Sequence, residues 1–380
     1  MEIHKRIRFA TAGSVDDGKS TLIGRLLYDL DQLKTDQIEA LHKDGELNLA
    51  FATDGLIEER AKGITIDVAY RYFTGHNTRF ICVDAPGHEE YLKNAFTAFT
   101  QVQTVVLLVD ATRTIRPQLY RHLAICELLQ IPNTIICINK LDAVQKPEST
   151  YFELLAQLNL PKAAICLPIS ALKGDNVAFK SNRFLWYTGA TLIELIAQSK
   201  TASSNYPHIQ VSGKIGNTSY GTLEGSTTLL NGSWKNAFTN EPILLENLFV
   251  NGKTNCEETE GNGLESIEIA FQSNSEAKYL IPENQIAFAF SKTIKVKCFW
   301  IVGTPIQRAK YELNINQQLV TGTITSIQTD SQISGLETYF FIIELALENA
   351  AIIEPYRFGS SIGTVTLTAN NVVTAGGVVV

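Results

Sequence analysis

An eight-residue segment near the start of the chain matches the pattern of a phosphate-binding loop. Residues 13–20 read Gly-Ser-Val-Asp-Asp-Gly-Lys-Ser, which fits G-x-x-x-x-G-K-[ST]. Its glycines let backbone amides approach phosphate oxygens, and the helix that follows presents the positive end of its dipole. We expect Lys19 to reach the β- and γ-phosphates and the Ser20 hydroxyl to bind Mg²⁺. The predicted phosphate-binding residues are Gly13, Ser14, Val15, Asp16, Asp17, Gly18, Lys19, Ser20 and Thr21.

A second segment follows the apolar run at 79–83 and reads Asp-Ala-Pro-Gly-His. Its carboxylate comes at the end of a predicted strand, and we expect Asp84 to hold Mg²⁺ through a water molecule. The backbone amide of Gly87 is expected to meet the γ-phosphate, so this segment can respond to whether a nucleoside triphosphate or diphosphate is bound. The predicted ligand-binding residues here are Asp84, Ala85, Pro86, Gly87 and His88.

A third segment offers an amide and a carboxylate after another buried run. Asn139, Lys140 and Asp142 are spaced so that the Asp142 carboxylate can accept the hydrogens on N1 and N2 of guanine, a pattern that adenine lacks. The stem of Lys140 would pack along the base. A four-residue match of this kind also occurs in ordinary polar loops, and its position after a buried strand favours the binding interpretation.

The fourth segment follows the apolar run at 163–169 and consists of Ser170, Ala171 and Leu172. We expect the backbone amide of Ala171 to donate to the guanine carbonyl oxygen. Four such segments in this order predict a site for GTP and Mg²⁺.

Apolar runs alternate with helical patterns up to about residue 200. This alternation is typical of βαβ units with a mainly parallel sheet, in which ligands bind beyond the carboxyl ends of the strands. The predicted strands are 7–12, 79–83, 104–109, 134–138 and 163–169, and the predicted helices are 22–30, 89–99, 117–129 and 149–158.

From residue 203 the helical patterns end, and short alternating segments follow between Gly, Asn and Ser residues. Regular short strands of this kind are typical of antiparallel barrels or sandwiches. We therefore predict an α/β P-loop domain at 1–202, a shortened β-barrel domain at 203–292 and a C-terminal β-barrel domain at 293–380.

The bulk composition narrows the class of protein. The chain is 45% hydrophobic and 19% charged with a formal net charge of −7, which fits a globular protein and argues against a broad nucleic-acid surface. No apolar run suits a signal peptide or a membrane span, so we expect a cytoplasmic protein without membrane or nucleic-acid partners. The six cysteines match no metal-binding spacing, and we expect Cys82, Cys137 and Cys166 to be small buried apolar residues.

Two further segments resemble the translation-factor class of GTPases: residues 63–67 (Gly-Ile-Thr-Ile-Asp) and 86–91 (Pro-Gly-His-Glu-Glu-Tyr). This resemblance implies that His88 orients the attacking water and that Thr65 binds Mg²⁺ and the γ-phosphate. The predicted catalytic residues are thus Lys19, Thr65 and His88. The alternative for His88 is a solvated residue at the start of a helix.

Within that class, the sequence most resembles the GTPase subunit of bacterial sulfate adenylyltransferase. The resemblance covers residues 1 to about 198 and is carried by the segments 13–29, 54–60, 63–73, 170–177 and 186–192. It implies a heterodimer, in which a smaller catalytic subunit forms adenosine 5′-phosphosulfate and pyrophosphate from ATP and sulfate. The GTPase subunit would couple GTP hydrolysis to that uphill step.

The chain departs from the family pattern at 94–100, 118–122, 218–222 and 365–370. These segments lie outside the nucleotide motifs, so they bear on partner contact and coupling. Two other hypotheses therefore stay open: a translation-factor-like GTPase that acts on RNA, and a divergent paralogue that serves as a GTP switch.

Overall fold

A computed structural model describes most of the chain. The described residues are 5–41, 49–52, 69–75, 77–85, 92–158, 160, 164–199, 208–224, 233–237, 239, 241–250, 253–254, 267–273, 277, 279–283, 290–301, 305, 308–315, 318–329, 340–352, 356, 363–370 and 372–380. The chain divides into two compact units, Met1–Lys200 with Asp330–Phe340, and Thr201–Thr329 with Phe341–Val380. The domain boundaries predicted at residues 202 and 292 stay predictions.

The first unit is built on a six-stranded sheet with the order β2-β3-β1-β4-β5-β6. Strand β2 pairs antiparallel with β3, and the other neighbours are parallel. The strands are β1 (Lys5–Ala12), β2 (Ala69–Gly75), β3 (Thr78–Asp84), β4 (Thr104–Asp110), β5 (Asn133–Asn139) and β6 (Ile165–Pro168).

Helices connect these strands, as the alternating pattern predicts. Pro117 and Pro147 begin their helices, where a missing backbone N–H costs no hydrogen bond. Short 3₁₀ helices span Leu49–Ala52 and Leu141–Ala143. The α-helices are α1 (Lys19–Asp29), α2 (Thr35–Leu41), α3 (Leu92–Phe99), α4 (Pro117–Leu128), α5 (Pro147–Gln157) and α6 (Leu192–Ala197).

The sheet register brings the predicted site residues to one edge. Thr11 on β1 pairs with Asp84 on β3, and Asp110 at the end of β4 pairs with Asn139 at the end of β5. All seven residues of β4 are buried, which is typical of a central parallel strand covered on both faces. The buried strands thus fix the positions of the polar residues that follow them.

The second unit is antiparallel. An eight-stranded sheet has the order β10-β9-β14-β7-β8-β13-β11-β12, and its described pairs form no closing contact. Its strands are β7 (His208–Ile215), β8 (Thr218–Glu224), β9 (Trp234–Asn236), β10 (Pro242–Ile243), β11 (Leu245–Val250), β12 (Lys253–Thr254), β13 (Ile267–Ser273) and β14 (Tyr279–Pro282).

Six further strands close into a barrel in the order β15-β18-β17-β16-β19-β20. They are β15 (Phe290–Trp300), β16 (Lys310–Ile315), β17 (Gln318–Thr329), β18 (Phe340–Ile352), β19 (Thr364–Ala369) and β20 (Val372–Val379). The predicted fold class, a mainly parallel α/β domain followed by antiparallel β domains, is confirmed. No helix in the described part of the chain is long and apolar enough to cross a bilayer.

Candidate nucleotide-binding site

The loop between β1 and α1 has backbone angles that its two glycines make possible. Gly13 has φ of +151° and Gly18, which caps α1, has φ of +97°. A Cβ on Gly18 would lie 2.5 Å from Asn139 Nδ2, and a Cβ on Gly13 would lie 3.0 Å from the Leu108 carbonyl oxygen. The loop therefore packs closely on the ends of β4 and β5, and glycine is required at both positions.

Lys19 begins α1 and folds back over the loop. Its ammonium donates to the carbonyl oxygens of Gly13 at 3.1 Å and Ser14 at 2.8 Å, and the side chain is buried. Burial lowers the pKa of Lys19, and the carboxylates of Asp84 and Asp17 partly oppose that shift. An ammonium carries three hydrogens and the described residues accept two of them, which leaves one for a further acceptor such as a phosphate oxygen.

A buried carboxylate fixes the shape of the same loop. Asp17 Oδ2 accepts the backbone N–H of Ser14 at 2.6 Å, and the Asp17 N–H donates to the Ser14 carbonyl at 3.3 Å. Burial raises the pKa of Asp17, while the bond from Ser14 lowers it. Asp16 next to it is exposed, with its carboxylate 3.6 Å from the Arg113 guanidinium. Val15, which precedes Asp16, is half-buried.

Two of the residues predicted to hold Mg²⁺ lie in the described part of the chain: Ser20 on the first turn of α1 and Asp84 at the end of β3. Asp84 Oδ1 accepts the Thr11 hydroxyl at 2.9 Å, and the N–H of Ala85 donates to the Thr11 carbonyl at 3.1 Å. Ser20 and Thr21 are half-buried on the first turn of α1. A hydroxyl and a carboxylate are hard oxygen ligands, which suit Mg²⁺.

Asn139 links the phosphate loop to the predicted base-binding loop. Its Nδ2 donates to the Asp17 carbonyl at 2.8 Å, and its Oδ1 accepts the N–H of Ala171 at 2.9 Å. Asn139 is buried, so its side-chain amide is held in one orientation by both bonds. The structure thus brings the first, third and fourth predicted segments together around one side chain.

Asp142 and Lys140 follow Asn139 in a tight turn. Lys140 adopts φ of +62°, and its ammonium donates to Asp110 Oδ2 at 2.7 Å. Burial raises the pKa of Asp110, but hydrogen bonds from Lys140 and Thr112 outweigh burial, so this pKa lies below its usual value. The Asp142 carboxylate is half-buried, and no hydrogen bond joins it to any residue that the structure describes.

The loop after β6 is tightly folded. Ser170 is buried, and its hydroxyl accepts the N–H of Lys173 at 3.0 Å. Because the Ala171 N–H donates to Asn139, the next donor along the loop is the N–H of Leu172, whose side chain is exposed. That the Ala171 amide meets the guanine carbonyl oxygen stays a prediction.

Four predicted residues lie outside the described part of the chain: Thr65, Pro86, Gly87 and His88. Their roles as catalytic, metal-binding or phosphate-binding residues stay predictions. The described segments place Gly13–Thr21, Asp84, Ala85, Asn139–Asp142 and Ser170–Leu172 at the same carboxyl edge of the sheet.

Residues 4–231, more than half of the chain, match the family described as Elongation factor Tu GTP binding domain. The chain belongs to this family.

Among its relatives, the chain is 43% identical over 209 residues to sulfate adenylyltransferase subunit 1 of Aliarcobacter butzleri, a match that covers 51% of this chain and 45% of the relative. It is 45% identical over 210 residues to the same subunit of Cronobacter sakazakii, covering 51% and 44%. The chain spans about half the length of the curated relatives it matches.

Solved structures show the same fold for this GTP-binding domain protein. A bacterial selenocysteine-specific elongation factor, EF-Sec, superposes with a TM-score of 0.56 at 20% identity, covering 98% of this chain and 58% of that one. The Saccharomyces cerevisiae Ski7 GTPase-like domain bound to GTP superposes with a TM-score of 0.58 at 16% identity, covering 100% and 99%. At these identities the likeness shows the fold alone.

The structure adds polar residues of the GTP-binding domain that the sequence analysis missed. A small open pocket lies beside the phosphate loop, and Arg116, which lines it, donates from its guanidinium to the Val15 carbonyl at 3.3 Å. A signal for Asp110 was present, because it ends a buried strand as Asp84 and Asn139 do. The polar residues that line the pocket are Ser14, Asp17, Asp110, Arg113, Thr114 and Arg116.

The cysteines fit the composition argument where the structure describes them. Cys82 and Cys137 are buried and Cys166 is half-buried, and burial raises the pKa of Cys166 to about 11. The described residues include no group of three or more His, Cys, Asp or Glu side chains that could hold a metal ion.

Proposed function

We propose that this chain binds GTP with Mg²⁺ and hydrolyses it, and that it does so as the GTPase subunit of a sulfate adenylyltransferase. The observation that carries the proposal is the convergence of the phosphate loop, Asp84, Asn139 and the Ser170–Leu172 loop at one edge of the sheet. Two relatives with more than 40% identity are named sulfate adenylyltransferase subunit 1, which supports the proposed role in that enzyme.

In this proposal the phosphate end works by charge and hydrogen bonding. The third hydrogen of the Lys19 ammonium would meet the β- and γ-phosphates, and the loop amides would surround the β-phosphate. Ser20, Asp84 and Thr65 would hold Mg²⁺, which would neutralise charge that develops on the phosphate oxygens.

The hydrolysis step would depend on His88. We infer from the family resemblance that its imidazole orients a water molecule toward the γ-phosphate. The water oxygen would bond to the γ-phosphorus as the bond to the β–γ bridging oxygen breaks, which gives GDP, inorganic phosphate and a proton. Lys19 and Thr65 would hold the γ-phosphate in position during this step. Guanine would be selected by the Asp142 carboxylate and a backbone amide of the Ser170–Leu172 loop.

The partner would carry out the sulfate chemistry. A smaller subunit would join ATP and sulfate into adenosine 5′-phosphosulfate and release pyrophosphate, and GTP hydrolysis by this chain would drive that step forward. We place both subunits in the cytoplasm as a heterodimer or a larger assembly.

The test is a coupled assay with a purified small subunit of sulfate adenylyltransferase. Adding GTP should raise the yield of adenosine 5′-phosphosulfate, and His88→Ala should remove the rise while GTP still binds. His76→Ala, a second histidine of the same unit, serves as the matched control and should keep the rise.

Other outcomes would decide for the alternatives. GTP binding and hydrolysis with an unchanged yield would contradict the sulfate role and leave a GTP switch. Nucleotide-dependent binding of aminoacyl-tRNA would instead favour a translation factor.

A further inference from the structure

Arg25 is a buried arginine on α1, six residues after Lys19. Its side chain is 10% exposed. A guanidinium stays charged at all physiological pH values, so burial requires that its N–H groups find acceptors. Those acceptors show what this side chain holds in place.

Two acceptors belong to the predicted base-binding loop. Arg25 Nε donates to the Ala171 carbonyl at 3.2 Å, and one terminal nitrogen donates to the Leu172 carbonyl. The other terminal nitrogen donates to Asp29 Oδ1 at 3.1 Å, one turn further along the helix. The planar fork of arginine thus holds two consecutive carbonyls, which the single ammonium of lysine cannot match.

The loop folds close against this pair. Gly174 has φ of +81°, and a Cβ there would lie 3.2 Å from Asp29 Oδ2 and 3.3 Å from Arg25 Cδ. Burial raises the pKa of Asp29, and the hydrogen bond from Arg25 opposes that shift. The glycine therefore lets the loop approach a charged pair that is largely removed from water.

These bonds set the direction of a backbone donor. A trans peptide is planar, so its C=O and the following N–H point in opposite directions. Arg25 fixes the Ala171 carbonyl, and this directs the Leu172 N–H away from α1. On the other side of Ala171, the N–H is held by Asn139 Oδ1 at 2.9 Å.

We propose that Arg25 is a positioning residue for base recognition, because it orients the 171–172 peptide so that the loop presents its N–H to the six-position carbonyl oxygen of guanine. This role rests on the proposed binding of guanine nucleotides. Arg25 would not touch the nucleotide, and it would couple the helix that starts at Lys19 to the base-binding loop.

The test measures calorimetric dissociation constants for three diphosphates that differ at the base. GDP carries both the six-position oxygen and the two-amino group, IDP keeps the oxygen without the amino group, and 2-aminopurine riboside diphosphate keeps the amino group without the oxygen. In Arg25→Met, the affinity for GDP and for IDP should each fall about tenfold, while that for the 2-aminopurine nucleotide stays within about twofold.

Two further variants test whether the effect is specific to the guanidinium of Arg25. Arg25→Lys keeps the charge but lacks the planar fork, and it should show the same pattern with a smaller loss, about threefold. Arg183→Met is the matched control, because Arg183 pairs with Asp175 at 3.4 Å and is half-exposed, and it should leave all three affinities unchanged.

The outcomes separate this inference from the function on which it rests. Equal weakening of all three nucleotides by both Arg25 variants, or no weakening, would overturn the positioning role while GTP binding stands. If the unaltered protein binds no guanine nucleotide, both the role and the proposed function are overturned.

Discussion

The two ends of the nucleotide site hold their polar groups in different ways. At the phosphate end, Lys19 uses two of its three hydrogens on loop carbonyls and keeps one donor for a ligand. At the base end, the side chains of Asn139 and Arg25 bind carbonyl and N–H groups of the neighbouring loops, and they hold those backbone groups in fixed directions. The phosphate end therefore acts through charge, whereas the base end acts through a preorganised backbone.

Removing the charge at the phosphate end should have the largest effect. Lys19→Ala takes away a buried cation between loop carbonyls and phosphate, so GTP affinity should fall by about 4 kcal/mol, about a thousandfold. Titration calorimetry measures the loss. Lys34→Ala removes an exposed lysine and should leave affinity unchanged, and comparable losses in both variants would refute the special role of Lys19.

A change of base-reading chemistry should come next. Asp142→Asn replaces a double acceptor with one acceptor and one donor, so GTP affinity should fall by about 3 kcal/mol, about a hundredfold. XTP carries an oxygen at position two and should bind the variant better than GTP does. Asp31→Asn, at an exposed position, should alter neither, and an unchanged GTP preference in Asp142→Asn would show that another group reads the base.

The link between the two ends can be broken at Gly18. Gly18→Ala forces a side chain into a left-handed backbone and against Asn139 Nδ2, so unfolding stability should fall by about 2–3 kcal/mol and GTP affinity should fall with it. Gly216→Ala also strains a left-handed backbone, with φ of +60°, but among the described residues no atom beyond the two chain neighbours lies within 4 Å of the added Cβ. This control variant should lose about 1 kcal/mol of unfolding stability and keep its GTP affinity. Equal losses of GTP affinity in the two variants would argue against a link through Asn139.

The last effect is the pH dependence of stability, which builds up gradually over about two pH units. His122 on α4 is fully buried beside the Phe99 ring, and burial, with smaller contributions from Lys19 and Arg121, lowers its pKa to about 3. The unfolded chain binds a proton near pH 6.5 that the folded chain does not, so this residue makes stability fall as pH drops below 6.5.

Denaturant titrations across pH measure this dependence. Between pH 6.5 and about 4.5, His122 should contribute a loss of up to about 1.4 kcal/mol per pH unit, which His122→Leu should remove. Parallel stability curves for the variant and the unaltered protein would show that His122 is charged in the folded state.

The sequence predicted the buried parts of the fold best. Strands β4 and β5 are continuous apolar runs, and helix α4 begins at Pro117 as predicted. Strand β2 was missed because it lies at the sheet edge, where Tyr72 is 70% exposed and no buried run marks it.

Strand β20 contains two consecutive glycines, Gly376 and Gly377, and no strand was predicted there. A pair of glycines usually marks a turn, but a Cβ on Gly377 would lie 2.7 Å from the Lys297 carbonyl oxygen on β15. This glycine allows two barrel strands to approach closely, which a sequence pattern alone does not distinguish from a turn.

The candidate site was predictable wherever its residues form short local motifs. The hydrogen bonds from Arg25 to the Ala171 and Leu172 carbonyls could not be predicted, because these residues lie 146 and 147 positions apart along the chain. Contacts at such separations depend on the sheet order that brings α1 next to the loop after β6. Local spacing carries no information about that arrangement.

The most direct test of the central claim is calorimetric titration of the full chain with GTP, and separately ATP, in the presence of Mg²⁺. We predict one GTP bound per chain with micromolar or tighter affinity, which is about 8 kcal/mol or more of favourable binding free energy, and at least about a hundredfold weaker binding of ATP. No heat with GTP, or equal binding of GTP and ATP, would contradict it.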